Sequence, residues 1–210
     1  MDVHPPHEPI RGWKDFLLHL LTITVGLFIA LSLEAAVESM HHRHLVHDAR
    51  AALSREITDN HALYAENERA LHANRVQLQN DIAQLRELRD GRRLDHPALT
   101  WTWRWSSYAD AAWRTSRDSG AVTHMTPETI SGYSYVYTQQ DYVNASALGI
   151  INEETRAGAA LAAAGDPARL TPADIGSLLI RTAELDQSIA TLQTTMKLLD
   201  DDYVRALNGH

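Results

Sequence analysis

The residues whose types and spacing suit chemistry fall in two clusters. The first is Glu38 with His41-His42-Arg43-His44 and His47. On a helix Glu38, His41 and His44 share one face, and Glu-x-x-His is half of the motif by which helical bundles hold carboxylate-bridged metal pairs. A complete site needs a second copy on a facing helix; the chain contains no second Glu-x-x-His, so a symmetric dimer would have to supply it. The favoured reading is a weakly basic collar for lipid headgroups that gains charge as pH falls. No metal or cofactor is assigned on this basis, and Glu38, His41 and His44 are kept as the metal candidates. His4 and His7, in the first residues, read as tail histidines without a specific ligand. The second cluster is aromatic: Trp101, Trp103, Trp105, Tyr108 and Trp113. These rings could line a ligand pocket or plug the end of a helical bundle, and the plug is the commoner use.

Other chemistries are excluded more firmly. There is no Cys, which removes thiol catalysis, disulfides and Cys-based metal sites. The net charge is −8, with only two lysines (Lys14 and Lys197), so no basic patch exists to neutralise phosphates, and nucleic acid is not expected as a partner. No nucleophile elbow, P-loop, dinucleotide fingerprint or HExxH appears, and the chain is not read as an enzyme.

The elements that position these clusters begin with Trp13–Leu33. From Phe16 to Leu33 run eighteen residues with no Asp, Glu, Lys or Arg and a single ionisable group, His19. A helix of that length spans about 27 Å, enough for the hydrocarbon core of a bilayer. Trp13 and Lys14 stand where an interfacial anchor belongs, so residues 13–33 read as a transmembrane helix after a Pro-rich disordered tail, 1–12. A cleaved signal peptide would break an uninterrupted helical pattern near Ala30-Leu31-Ser32, and a buried core helix rarely carries so long an uncharged run. Thr22, Gly26 and Ala30 recur every four residues, a small-residue face on which two such helices can approach closely. The same recurrence is equally compatible with the ordinary abundance of small residues in membrane helices.

After Gly26 no Gly or Pro occurs for 64 residues, so the helix should continue as a stalk over 34–90. Leu53, Ile57, Tyr64, Leu71, Leu78 and Leu85 keep a mostly seven-residue spacing, and Asn60, Asn67 and Asn74 form a second stripe. Polar residues on such a stripe can set register at a helix–helix seam, or mark the wet side of an amphipathic helix; the wet side is the favoured expectation.

Residues 91–210 read as a helical bundle. The alternating Trp residues predict a short strand or extended lead-in, followed by a helix over about 106–119. Thr126-Pro127-Glu128 predicts a helix over 128–164, with Tyr133, Tyr137, Leu148, Ile151 and Leu161 among its inward residues. Thr171-Pro172-Ala173-Asp174 predicts another over 173–207. That last helix carries the clearest seam: Ile175, Leu178, Thr182, Leu185, Ile189, Leu192, Met196, Leu199, Tyr203 and Ala206 alternate steps of three and four. Long helices of near-equal length predict an all-α fold, in which the stalk packs within an antiparallel three- to four-helix bundle.

The stretch Trp13–Glu34, the His/Arg collar, Ala49-Arg50, Glu56-Ile57, Asn60, the run from Trp113 to Gly120 and the later Tyr-rich helix resemble those of short bacterial single-pass inner-membrane proteins with a helical extramembrane domain. That family has no assigned activity, and the resemblance implies a bacterial inner-membrane protein and nothing catalytic. The expected partners are the lipid bilayer and either further copies of the chain or another membrane protein. The expected function is a membrane-anchored scaffold or accessory subunit; the alternative is a sensor whose bundle binds a small ligand and signals through the stalk. Arg11 and Lys14 balance Arg43 and Arg50 under the positive-inside rule. A short tail ahead of an uncleaved anchor favours a cytoplasmic N-terminus and a periplasmic bundle.

Overall fold

The computed structural model describes residues 12–92, 94, 97–100, 103–165 and 167–208. The chain is all-α: α1 (Trp13–Arg89), α2 (Ala111–Asp118), α3 (Pro127–Ala164) and α4 (Pro172–Leu207), with single 3-10 turns at Ala121–His124 and Pro167–Arg169. Among the described residues there is no β-strand. It divides into two compact units, 1–48 and 49–210.

In the first unit α1 is apolar and long enough to cross a membrane, and none of its most apolar eighteen-residue window is buried. The polar side chains in this run fold back onto the helix: Thr22 Oγ1 donates to the Leu18 carbonyl at 2.9 Å and Thr24 Oγ1 to that of Leu20 at 2.7 Å. Such bonds satisfy hydroxyls where water is scarce.

In the second unit, α1 from Ala49 onward packs with α3 and α4 as a three-helix bundle. The helix ends are set by local chemistry. Gly91, at φ 78°, closes α1: its N–H donates to the Leu88 carbonyl and that of Arg92 to Glu87, the paired bonds of a Schellman ending. Thr126 caps α3 by accepting from the Thr129 N–H, with Pro127 in the first position. Thr171 and Asp174 cap α4 reciprocally, each side chain accepting the other's backbone N–H. These hydrogen bonds from Thr171 hold the Asp174 carboxyl below its usual range.

Helix directions follow from the cross-links. Glu56 meets Tyr137 and Asn60 meets Gln140, so α3 runs parallel to α1. His61 lies against Asp200, Arg75 against Asp186 at 2.9 Å, and Glu68 against Gln193, so α4 runs antiparallel to both. The antiparallel packing expected of the long helices holds for α4 and not for α3. The chain returns along α1 as an extended segment, and this return places α3 parallel. One end of the core is closed by Leu85, Leu99, Leu170, Ile175 and Leu178.

The helix expected over 106–119 begins only at Ala111, and residues 103–110 are extended. Short polar side chains at Ser106 and Ser107, suited to helix caps, are here part of that extended run. The inward face of α3 also differs from expectation. Tyr137 is buried, but Leu148 is 58% exposed, and Tyr133, Ile151 and Leu161 are half-buried. The buried face is Val136, Tyr137, Gln140, Val143, Ala147, Ile150 and Ala157. Its polar and small members break the apolar pattern that would have revealed it.

The corrected face is testable by chemical denaturation. Ile150→Ala should cost about 2–5 kcal/mol, the usual range for emptying a core position. Leu148→Ala should stay within about 0.5 kcal/mol, as for a surface change.

Candidate functional site

The extended segment, described over residues 97–100 and 103–110, carries four of the five predicted aromatic-cluster positions at or beside it; Trp101 lies outside the described residues. An extended chain with no neighbouring strand must find a partner for each N–H and C=O it buries. Here the partners are side-chain amides. Asn60 Nδ2 donates to the Ala109 carbonyl at 2.8 Å, and the Ala109 N–H donates back to Asn60 Oδ1 at 2.9 Å. Asn67 treats Ser106 identically, at 2.9 and 3.0 Å. Asn144, from α3, takes Tyr108 at 3.1 Å in both directions. Gln84 takes Ala98 at 3.4 and 2.9 Å. Each amide stands in for one peptide unit of a missing strand, offering a donor and an acceptor at once.

The register has a simple origin. Two turns of helix, seven residues, rise about 10.5 Å, and three extended residues span about 10 Å. Residues seven apart on α1 therefore meet residues three apart on the segment: Asn60 meets Ala109 and Asn67 meets Ser106. Continued downward, the same step brings Asn74 level with Trp103 and Asp81 level with Thr100. Asn74 and Trp103 do line one small cavity of about 20 Å³ with Thr100 and Glu154, and the Thr100 backbone lies near enough to the Asp81 carboxyl to favour its charged form.

The Asn stripe is thus not the wet side of the stalk. Asn60 and Asn67 are each 2% exposed and Asp81 is fully buried. A wet face and an amide-lined face show the same polar period, and only the cover distinguishes them.

At the upper rung the amides join a wider network. Gln140 Oε1 accepts from Asn60 Nδ2 at 2.8 Å and from the Tyr203 hydroxyl at 2.7 Å, while its Nε2 donates to the Ala109 carbonyl. Glu56 uses both oxygens: one accepts from the Ala112 N–H at the start of α2, the other from the Tyr137 hydroxyl at 2.8 Å. Burial, reinforced by the Glu56 carboxylate, pushes the Tyr137 phenol upward, and burial does the same for Tyr203. Burial also takes Tyr108 up to about 12, opposed in part by the Asn67 amide. The Tyr137 and Tyr203 phenols are hydrogen-bonding struts, whereas the Tyr108 hydroxyl is buried without a hydrogen-bond partner.

The aromatic cluster separates into two stacks. Trp103, Trp105, Tyr108 and Tyr203 form one series, with ring centroids 6.5, 5.6 and 6.0 Å apart in turn. Trp113 belongs to the other, stacked on Tyr137 at 5.5 Å, with Arg117 over its face. Both stacks fill space between helices, and Trp105 also lines an open groove with Asn67, Arg104 and Ser106. Another groove, of about 520 Å³, is lined by Arg50, Glu128, Tyr133, Tyr135, Asp202 and Arg205. Asp202, which the seam reading passed over, is 4% exposed and paired with Arg205.

The other predicted positions are placed as follows. The seam residues Ile175, Leu178, Thr182, Leu185, Ile189, Leu192, Met196, Leu199 and Tyr203 are all buried. Thr22, Gly26 and Ala30 are not buried, and a Cβ added at Gly26 would meet nothing within 4 Å. Glu38 lies 3.9 Å from His42, whose ring centroid is 6.2 Å from that of His41. Among the described residues no group of three or more His, Asp or Glu is arranged to hold a metal ion. His4 and His7 lie outside the described residues.

No family model matches the chain, and no curated protein or solved structure is significantly similar to it.

Cutting individual rungs separates their contributions. Asn60→Ala should cost on the order of 3 kcal/mol in chemical denaturation, because it orphans the buried Ala109 N–H at about 1–3 kcal/mol and removes one of the two bonds held by the Ala109 carbonyl and by Gln140 Oε1. Asn67→Ala should cost less, because Asn67 and Ser106 also line an open groove where water can replace the amide.

Proposed function

We propose that the chain is a membrane-anchored helical scaffold, acting by self-association or as an accessory subunit of a membrane complex, and not an enzyme. The observation that carries this reading lies in α1. One helix supplies an apolar run of membrane-spanning length with no residue of its central window buried. The same helix supplies, from Ala49 onward, a core wall of the second unit. An unburied apolar run needs an apolar environment, and a bilayer provides one. The proposed setting is a bacterial inner membrane crossed once, with the N-terminus cytoplasmic and the bundle periplasmic. An alkaline phosphatase joined after residue 210 should then be active, and an inactive fusion would reverse the orientation.

Self-association is assigned to the face of Thr22, Gly26 and Ala30, where small side chains permit close backbone approach. The glycine offers a clean test, since nothing within the chain touches the space its Cβ would occupy. Gly26→Leu should leave helix content unchanged by circular dichroism. It should reduce the cross-linked oligomer severalfold in detergent or membranes, and an unchanged yield would move self-association to another surface. The mass of the solubilised protein, taken from native membranes and from recombinant expression, separates the two modes. One shared homo-oligomer supports self-association, whereas a second protein in the native preparation alone supports the accessory role.

The groove at Arg50, Tyr133, Tyr135 and Arg205 favours a second reading, a sensor that binds a small ligand between helices, since its volume is that of ordinary ligand sites. Saturable stabilisation by a small molecule that Tyr133→Ala abolishes would support it over the scaffold.

A further inference from the structure

Asp81 occupies the position at which the register calls for another asparagine. It lies seven residues after Asn74 and fourteen after Asn67, is fully buried, and faces Thr100, three residues before Trp103. An asparagine there would accept the Thr100 N–H and donate to the Thr100 carbonyl, as Asn60 and Asn67 do at their own rungs. A carboxylate can only accept. Its Oδ1 accepts from Gln77 Nε2 at 2.9 Å, and its Oδ2 is buried with no hydrogen-bond partner. In the register of the ladder this free oxygen takes the place that the amide nitrogen holds at the other rungs. A proton on it turns the acid into a shape and hydrogen-bonding equivalent of asparagine.

The geometry points to Asp81 as a protonation latch on the extended segment: the neutral acid closes the Thr100 rung as a donor and acceptor, and the carboxylate leaves that rung half made. The low end of the segment is then gripped more firmly in mildly acidic surroundings than at neutral pH.

The surroundings isolate the group. Burial pushes the Asp81 carboxyl up to about 6, and the Gln77 hydrogen bond and the Thr100 backbone oppose that shift. On α1, Arg75 is engaged by Asp186 of α4 at 2.9 Å, so no cation of this pair is left to hold the carboxylate charged. On α3, Glu154 lines the adjoining cavity with Gln77 and Thr100, and burial raises it too. On the extended segment, Arg104 shares the outer groove with Thr100. From α4 the cavity receives Leu185 and Ile189, which carry no charge. The sign follows from linkage. The folded acid binds its proton more tightly than the unfolded one, whose value is 3.8, so this group's stabilisation is complete at and below about 4 and is lost as pH rises through about 6.

The test is hydrogen exchange on the full-length protein in detergent micelles at pH 5.0 and 7.5, corrected for the intrinsic pH dependence of exchange, read on peptides covering residues 98–106. The wild type should be more protected at pH 5.0, by a factor that cannot exceed about ten between these two pH values for a shift from 3.8 to about 6. Asp81→Asn should hold the protected level at both pH values, and Glu154→Gln should keep the wild-type difference. Equal protection at both pH values in the wild type overturns the latch, as does an unchanged pH difference in Asp81→Asn or its loss in Glu154→Gln. Should Asp81→Asn fail to fold, carbon NMR of the wild-type Asp81 carboxyl decides. A titration midpoint between 5 and 7 supports the latch, and one near 4 overturns it.

Discussion

An extended segment buried against helices has no neighbouring strand to satisfy its backbone, and the second unit is arranged around the answer to that constraint. Every buried N–H or C=O left without a partner costs about 1–3 kcal/mol, so a dozen-residue strap of unpaired peptide groups would cancel the net stability of a domain this size. Amide side chains solve the problem because each carries the peptide's own donor and acceptor, spaced to close a two-bond ring with one residue. Asn60, Asn67, Asn144 and Gln84 each do this once. A hydroxyl or a carboxylate in their place could meet at most part of that demand.

The strap in turn determines the topology. Because the return along α1 is extended, it climbs about twice as fast per residue as a helix would. The chain regains the level of Asn60 by Ala109, and α2 and the turn after it can start α3 at the level of Arg50. From there α3 can only run parallel to α1, and α4 closes the bundle antiparallel to both. Glu56 and Gln140 bind these pieces at one level: Glu56 ties the first turn of α2 to Tyr137, and Gln140 ties Asn60, the strap and Tyr203 of α4. Five elements meet on two polar side chains, which an apolar core of the same volume could not position so specifically.

The legibility of this architecture in the sequence varies with what each residue pattern encodes. The α4 seam was readable from Ile175 to Tyr203, because every third or fourth residue there is apolar or Thr and each is buried, whereas Ala206 is half-buried and the buried Asp202 lies outside the pattern. Helix starts at Thr126 and Thr171 were readable because capping is local chemistry. The α3 face was obscured by Gln140 and Ala147, which are buried for bonding and close packing and carry no hydrophobic signal. The stripe of Asn60, Asn67 and Asn74 was visible but misjudged, since periodicity states which residues share a face and says nothing of what covers it. One clue was present: the stripe is made of amides, where a solvated helix face would mix Glu, Lys and Arg. The aromatic residues announced a packed region, but not that Trp113 would stack apart from Trp105 and Tyr108.

The amide ladder also bears on how copies of the chain can meet. Asparagines repeated at seam positions are a known device for fixing the register of helices from different chains. In this bundle Asn60 and Asn67 already spend both donor and acceptor on the strap of their own chain, and neither is accessible. They are therefore unavailable for pairing with a second copy unless the strap leaves. The apolar stripe beside them, from Ile57 through Leu71 to Leu85, is likewise buried within the chain. Association through the second unit would have to use exposed residues such as Tyr142, Ile180 and Leu198. The Thr22, Gly26 and Ala30 face is not buried within the chain, and for that reason self-association is proposed there and not on the stalk.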